Sequence, residues 1–275
     1  MSRPALLLTL FLLMVRLSAF AATWTAIDVP GSTSTQVFAV NSLGQVVGDY
    51  SDGVTLHGFL LVNGTFTTID EPAGVLTGGT GINDSGQIAG YYADSSLVYH
   101  GFLMTGSNFQ TIDPPGSRGT VTGQVNNAGQ TVGWFNDAIG THGFQWNGSA
   151  YVVIDEPGGF VTNAFGINNL GDIAGYSVPR YDSGFLLIQG TFNTVQYPGS
   201  VDTVAYAVND HGQVVGWADN AQDKVIGFVL TAHRYSALRY PGSVSTMAYG
   251  IDQSADIVGQ YMDKSGVTHG FMRTH

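Results

Sequence analysis

The sequence predicts an all-β fold, a six-bladed β-propeller of four-stranded antiparallel blades in which the N-terminal strand completes the C-terminal blade. Three observations predict it. One motif is written six times at a period of 41 to 43 residues, every copy holds four short strand patterns, and the chain starts and stops partway through a copy. A period of that size with turn signals inside it belongs to propellers, solenoids or arrays. Four strands per copy favour the propeller, because solenoid coils repeat at a shorter period.

The repeat is marked by Pro30, Pro72, Pro115, Pro157, Pro198 and Pro241. A Thr follows five residues later (Thr35, Thr77, Thr120, Thr162, Thr203, Thr246), and a Gly thirteen after that (Gly48, Gly90, Gly133, Gly175, Gly216, Gly259). In the second copy, residues 77–82 read as strand a, and Asn83-Asp84-Ser85-Gly86 as a turn with Asn first and Gly last. Residues 87–92 form strand b, rich in β-branched and aromatic side chains. A polar loop over 93–99 leads to strand c at 100–104, and strand d ends at Asp113 before a Pro-Gly loop. No segment has a helical period. The Gly residues inside strands b and at the start of strands c suggest bulges or close backbone approach. The Asn series Asn41, Asn83, Asn126, Asn168 and Asn209 would suit a ring of ligand amides, but turn formation is the stronger reading.

Residues 1–21 read as a secretory signal peptide. Arg3 precedes an eleven-residue apolar run over 5–15, and Ala19-Phe20-Ala21 supplies the cleavage pattern. The run is too short to span a bilayer, and Arg16 interrupts it. The expectation is a secreted or periplasmic chain with one domain over 22–275. There is no Cys, so stability rests on the packed core rather than on disulfides. Lys and Arg number 9 against 20 Asp and Glu, for a net charge of −11. That excess disfavours phosphate backbones and anionic membranes as partners. Charged residues at 11 %, with 38 Gly and 13 Tyr, suit an extracellular β-protein with many tight turns.

The chain starts in a strand d (residues 24–28) and ends in a strand c (269–272), so the last blade lacks an outer strand that the N-terminal segment can supply. Closure of this kind removes a free sheet edge. A covariation supports it. His precedes the Gly-Phe of strand c at His57, His100, His142 and His269, and Asp stands two before Pro at Asp28, Asp70, Asp113 and Asp155. His57 goes with Asp70, His100 with Asp113, and His142 with Asp155; both members are lost together where Ser183 faces Gln196 and Ile226 faces Arg239. His269 and Asp28 are then the two halves of the closing blade. The Asn63-Gly64 turn predicts a tight hairpin that sets 57 opposite 70. The expected role is a structural latch, since one such pair supplies too few ligands for a metal, and catalysis would need a nucleophile beside each of four dyads repeated around a ring.

The string Gly-Ile-Asn-x-x-Gly-x-Ile-x-Gly at residues 81–90 and 166–175, followed after the first by His-Gly-Phe at 100–102 and then Ile-Asp-x-Pro-Gly, resembles the HAF-type extracellular repeat of bacteria. The resemblance covers nearly all of the chain after residue 22. It departs in having His-Gly-Phe where the family has His-Ala-Phe, and in losing the His from copies four and five. It implies an exported bacterial protein and brings no catalytic residues with it. It also argues against glycosylation at Asn63-Gly-Thr and Asn147-Gly-Ser.

Spacing restricts where function can sit. From Pro to Asn (Asp in the last copy) is eleven residues in every copy, and the length variation falls between that residue and the Gly-Phe, in the b–c loop. Antiparallel order puts the b–c and d–a loops on one face, and loops on a rigid scaffold carry function. On that face the irregular residues are Arg180, Tyr181 and Asp182 in copy four, Lys224 in copy five, Arg118 in copy three and Phe160 in copy four. They form the candidate binding site. Tyr91, Trp134, Tyr176 and Trp217 follow the strand-b Gly; such rings can stack on sugars, but packing within or between blades is the stronger reading. The loop acids Asp52, Asp94, Asp137 and Asp263 could hold Ca²⁺, although no Asp-x-Asp-x-Asp-Gly loop exists, so solvated turn acids are favoured. No other cofactor is expected, and no catalytic residue is assigned.

His211, His233 and Arg234 lie in turns of the opposite face, so they cannot join Arg180 and Tyr181 in one site. The nucleophile-elbow, zinc-protease and phosphate-loop motifs are absent. The expected function is therefore a non-enzymatic exported module that binds an extracellular glycan, polymer or protein. The alternative is a polysaccharide lyase or hydrolase using Tyr181 and Arg180 with an Asp on the same face.

Overall fold

The computed structural model describes residues 22–178, 183–219 and 225–274. Over these residues the chain forms six four-stranded antiparallel sheets and no helix, so nothing described is long and apolar enough to cross a membrane as a helix. Blade one runs outward in chain order through strands a (Ser34–Val40), b (Val46–Ser51), c (Leu56–Val62) and d (Thr65–Ile69). Each strand a touches the strands a of both neighbouring blades, which closes the ring about a central axis. Blade six takes its outer strand from the other end of the chain: Thr23–Ile27 pairs with Thr268–Thr274 in the register Thr23↔Thr274 to Ile27↔Gly270.

The packing explains what repeats. The Phe of each Gly-Phe (Phe59, Phe102, Phe144, Phe185, Phe228, Phe271) is fully buried in its blade. Each contributes roughly 2–3 kcal/mol relative to exposure. In five blades it packs against an aromatic of strand d, as Phe59 does edge-on to Phe66 with ring centroids 5.5 Å apart. In the closing blade Trp24 takes that place, 5.1 Å from Phe271. Strands a all bulge midway, where Val37 pairs with Gly48 and Ala39 with Val47, leaving Phe38 unpaired. The bulge presses a carbonyl onto strand b. A Cβ on Gly48 would overlap the Gln36 carbonyl oxygen, and one on Gly216 that of Val204, which is why Gly stands at this place six times.

The recurring Thr closes the d–a loop. Thr35 Oγ1 accepts the backbone N–H of Val29 at 3.1 Å, and Thr77 that of Glu71 at 3.0 Å, six residues back in each case. In copy three that donor position is Pro114, which has no N–H, and the buried Thr120 hydroxyl is left without a partner.

The recurring Asn does more than form its turn. Asn41 Oδ1 accepts the N–H groups of Leu43 and Gln45, while its Nδ2 donates to Gln45 Oε1 at 2.7 Å and to the Asn83 carbonyl of the next blade at 3.0 Å. Asn83, Asn126, Asn168 and Asn209 repeat the handover to Asn126, Asn168, Asn209 and Asp252. The chain of donors stops at Asp252, whose carboxylate has no N–H to pass to Asn41. A cavity of about 60 Å³ lies inside this ring at the a–b end of the axis.

Candidate functional site

The axis is plugged by the bulge residues. Phe165 and Tyr206 stack with centroids 4.6 Å apart and planes within 1°, Tyr206 lies 4.6 Å from Tyr249, and Phe38 lies 5.1 Å from Tyr249. Thr80 and Gly123 occupy the same position in blades two and three, and their small size makes room for the four rings. Thr80 Oγ1 donates at 2.9 Å to the carbonyls of Thr122 and Gly123. Gln124 Nε2 crosses to the Tyr249 carbonyl at 3.2 Å.

One residue before the bulge, toward the d–a loops, strand a pairs with the residue that follows the strand-b Gly: Asp49, Tyr91, Trp134, Tyr176, Trp217 and Gln260. Tyr91, Trp134, Tyr176 and Trp217 are partly exposed, and Tyr91 reaches Asp49 of the neighbouring blade. Asp49 is only 2 % exposed, and burial raises its carboxyl to about pKa 7 despite the hydrogen bond from Tyr91 Oη to Oδ2 at 3.2 Å. Burial first, and then the Asp49 carboxylate, push the Tyr91 and Tyr206 phenols upward, so these remain neutral donors. Thr80, Trp134, Phe165 and Tyr206 also border a void of about 40 Å³.

The His residues sit between two carboxylates each. His57 Nδ1 lies 2.9 Å from Asp70 and its Nε2 3.5 Å from Asp52. For His100 the distances are 2.7 Å to Asp113 and 3.6 Å to Asp94; for His142, 2.9 Å to Asp155 and 3.4 Å to Asp137. His269 lies 3.0 Å from Asp28 and 3.4 Å from Asp263, across the closing seam. An aromatic ring of strand b lies against each imidazole: Tyr50, Tyr92, Phe135 and Tyr261. The Asp70 hydrogen bond raises the pKa of His57, and Asp155 does the same for His142. At His100 burial opposes the rise but is outweighed by Asp113 and Asp94. Neutral imidazole has one N–H and can satisfy only one of two flanking carboxylates.

The second carboxylate of each set is a b–c loop acid. Asp52 Oδ1 accepts the N–H groups of Val54 and Thr55, as Asp137 Oδ1 accepts those of Ile139 and Gly140. These bonds hold Asp52 and Asp137 below the usual carboxylate range, and the Ser265 hydroxyl, followed by the Val267 N–H, holds Asp263 at about pKa 2. Asp52, Asp94 and Asp263 cap their own loops through Oδ1 while Oδ2 faces the imidazole, whereas at Asp137 Oδ1 does both. Among the described residues no group of three or more His, Cys, Asp or Glu side chains has a geometry that could hold a metal ion.

Arg118 and Phe160 occupy one repeat position, shared with Thr33, Val75, Val201 and Val244. The backbone N–H there bonds to the last carbonyl of the neighbouring b–c entry, as Phe160 does to Val178 at 3.0 Å. The side chains point into solvent, and Phe160 is 79 % exposed. Val54, Leu97 and Ile139 stand exposed at the tips of the b–c loops on the same face. Arg180, Tyr181, Asp182 and Lys224 lie outside the described residues.

Two larger concavities lie on the flanks between blades. One of about 760 Å³ separates blades three and four, with Val152, Val153, Leu170, Leu187 and Phe192 on its walls. Another of about 390 Å³ takes the matching place between blades five and six, beside Trp24, Leu238 and Ile257.

No protein-family profile and no curated protein matches the sequence. Solved structures do match in shape. A virginiamycin B lyase from Staphylococcus aureus aligns at 9 % identity over 91 % of this chain and 88 % of that one, with a TM-score of 0.51. The Aleuria aurantia lectin, a six-bladed β-propeller with a fucose recognition mode, aligns at 10 % identity over 88 % and 91 %, with a TM-score of 0.56. TolB from Acinetobacter baumannii aligns at 10 % identity over 90 % of this chain and 65 % of that one, with a TM-score of 0.58. At such identities the likeness is one of fold.

Proposed function

We propose that this protein is an exported binding module of the HAF-repeat type whose b–c/d–a face engages an extracellular glycan, polymer or protein. The observation that supports it is an asymmetry between the two faces. On the a–b side the turn polar groups are spent on the blade-to-blade amide chain, and the large apolar side chains exposed in those turns are two, Leu43 and Leu170. On the b–c/d–a side Val54, Leu97, Ile139, Phe160, Val201 and Val244 stand in solvent. Exposed apolar side chains gathered on one face mark an interaction surface. The fold neighbours add a precedent for sugar recognition, in that the Aleuria aurantia lectin was solved in complex with a fucosylated disaccharide and with a methyl fucoside.

The test is a glycan array and a polysaccharide panel screened with the purified protein, followed by paired variants. Phe160→Ser with Val201→Ser should abolish capture, while Val153→Lys in the flank groove should leave it intact. The reverse pattern would move the site to the groove between blades three and four. Unsaturated or new reducing ends in the polysaccharide panel would replace this reading with a lyase or hydrolase.

A further inference from the structure

The amide ring at the a–b end of the axis has one break. In blades one to five the Asn Nδ2 group donates twice. It reaches a side chain four residues on at 2.7–3.0 Å, and the Asn or Asp carbonyl of the next blade at 2.9–3.2 Å. Asp252 holds this place in blade six. Its Oδ1 accepts the N–H groups of Ser254 and Asp256 at 2.8 Å, as each Asn Oδ1 does in its own turn, so Oδ2 stands where the other blades have the donor. Among the described residues this second oxygen has no hydrogen-bond partner, although Asp252 is only 6 % exposed. A buried carboxylate oxygen with no donor is expensive to keep, because its desolvation is uncompensated.

Both groups that an Nδ2 would meet there are acceptors as well. Asp256 takes the position of Asp172, whose Oδ2 accepts the Asn168 amide at 3.0 Å. The Asn41 carbonyl accepts the Gly44 N–H at 3.0 Å, whereas the other five ring carbonyls each accept a turn N–H and an amide of the preceding blade. The repeat thus directs two carboxylates and a carbonyl oxygen to one point, with no donor between them. Asn41 and Asp252 both line the cavity of about 60 Å³, which has room for an ion, and the Asp84 carboxylate borders it too. Burial, and after it the charges of Asp256 and Asp84, work against an ionised Asp252, and a cation at the break would offset both charges. Calcium is the hard cation that takes carboxylates, backbone carbonyls and water together in flexible geometry, whereas magnesium demands a stricter octahedron. We propose that the break in the amide ring is a calcium site, with Asp252 Oδ2, the Asn41 carbonyl and Asp256 as its protein ligands and water completing the shell. It lies at the opposite end of the axis from the loop face and does not depend on what the loops bind.

Isothermal titration and thermal melts of the purified protein, first stripped of divalent ions with a chelator, test the proposal with calcium chloride against potassium chloride at equal ionic strength. The expected result is saturable calcium binding in roughly the millimolar range and a melting temperature raised by about 3 °C at about 10 mM calcium. Potassium chloride should give neither. Asp252→Asn installs the residue that the other five blades carry, so the ring should still fold. Without calcium this variant should melt above the parent protein, and it should lose the calcium response. Asp256→Gln should weaken calcium binding about tenfold, while Asp172→Gln, at an acid that already has an amide donor, should leave it unchanged. No saturable calcium binding would overturn the proposal, as would a calcium response that survives Asp252→Asn or one that Asp172→Gln removes as fully as Asp256→Gln.

Discussion

Gln124 Nε2 lies 3.2 Å from the carbonyl oxygen of Tyr249, and the two residues belong to blades three and six, on opposite sides of the ring. A bond between opposite blades can only pass through the axis. The centre of this propeller is thus a cross-braced plug of stacked rings and not an open channel. Removing a ring from the plug should leave a void with nothing to collapse into it. Tyr206→Ala is expected to lower stability by about 3 kcal/mol, as buried aromatic truncations do, and urea denaturation followed by Trp fluorescence measures it. A loss below about 1 kcal/mol would mean the plug bears little of the fold.

The same substitution should behave oppositely in two blades. Thr35→Val strands the Val29 N–H and should lower stability by roughly 1–2 kcal/mol. Thr120→Val removes a hydroxyl that already lacks a partner, because Pro114 offers no N–H, so it should be neutral or stabilising. Parallel melting curves of the two variants decide it.

The amide chain suggests a stabilising change. Asp252 Oδ1 accepts the N–H groups of Ser254 and Asp256, as Asn Oδ1 does elsewhere, so its other oxygen takes the place of a donating Nδ2. Burial raises the Asp252 carboxyl, and the Asp256 charge adds to the rise. A raised carboxyl penalises the folded state increasingly as pH climbs above the ordinary value of 3.8. Asp252→Asn should complete the ring toward Asn41 and add about 1 kcal/mol at pH 7, with a smaller gain at pH 3.5. Thermal melts at both pH values check the difference.

The imidazole clamps set a pH window. For His57, His100 and His142 the folded pKa is above the ordinary 6.5, so their contribution is full below that value and fades as the pH rises through the folded value. The partner acids Asp52, Asp94 and Asp137 are lowered, so theirs is present above 3.8 and fades as the pH falls further. Stability from the clamps should peak between roughly pH 4 and 6.5. His57→Ala is expected to lower stability by under about 1 kcal/mol at pH 6 and by less at pH 8.5, measured by urea titration. An equal loss at both pH values would mean that the imidazole acts through packing alone.

The fold was legible because the repeat writes its own geometry. Asn63-Gly64 adopts positive φ at both residues and sets Gly58 opposite Ile69, the register that its two-residue turn implies. The split copy at the two chain ends likewise implied the closing strand. What the sequence did not reveal was where lateral contacts lead. Asp49 stands where four other copies carry aromatics, and only the structure shows that its carboxylate takes the hydroxyl of Tyr91 from the next blade. The third member of each His clamp was present as Asp52, Asp94, Asp137 and Asp263, in the four blades that carry His. Its spacing from the His varies between five and six residues with the loop, which hid the pairing from a search for fixed intervals.

Thr23 pairs with Thr274, so the ring is finished only when the first strand of the chain meets the last. During synthesis each blade from the first to the fifth can assemble as soon as its own residues emerge. The sixth must wait for a partner made some 250 residues earlier, which has to be kept unpaired in the meantime. The slowest and most error-prone moment for this molecule is therefore the final zipping of its seam. A second copy's free first strand would fit there equally well, giving linked rings in place of single ones.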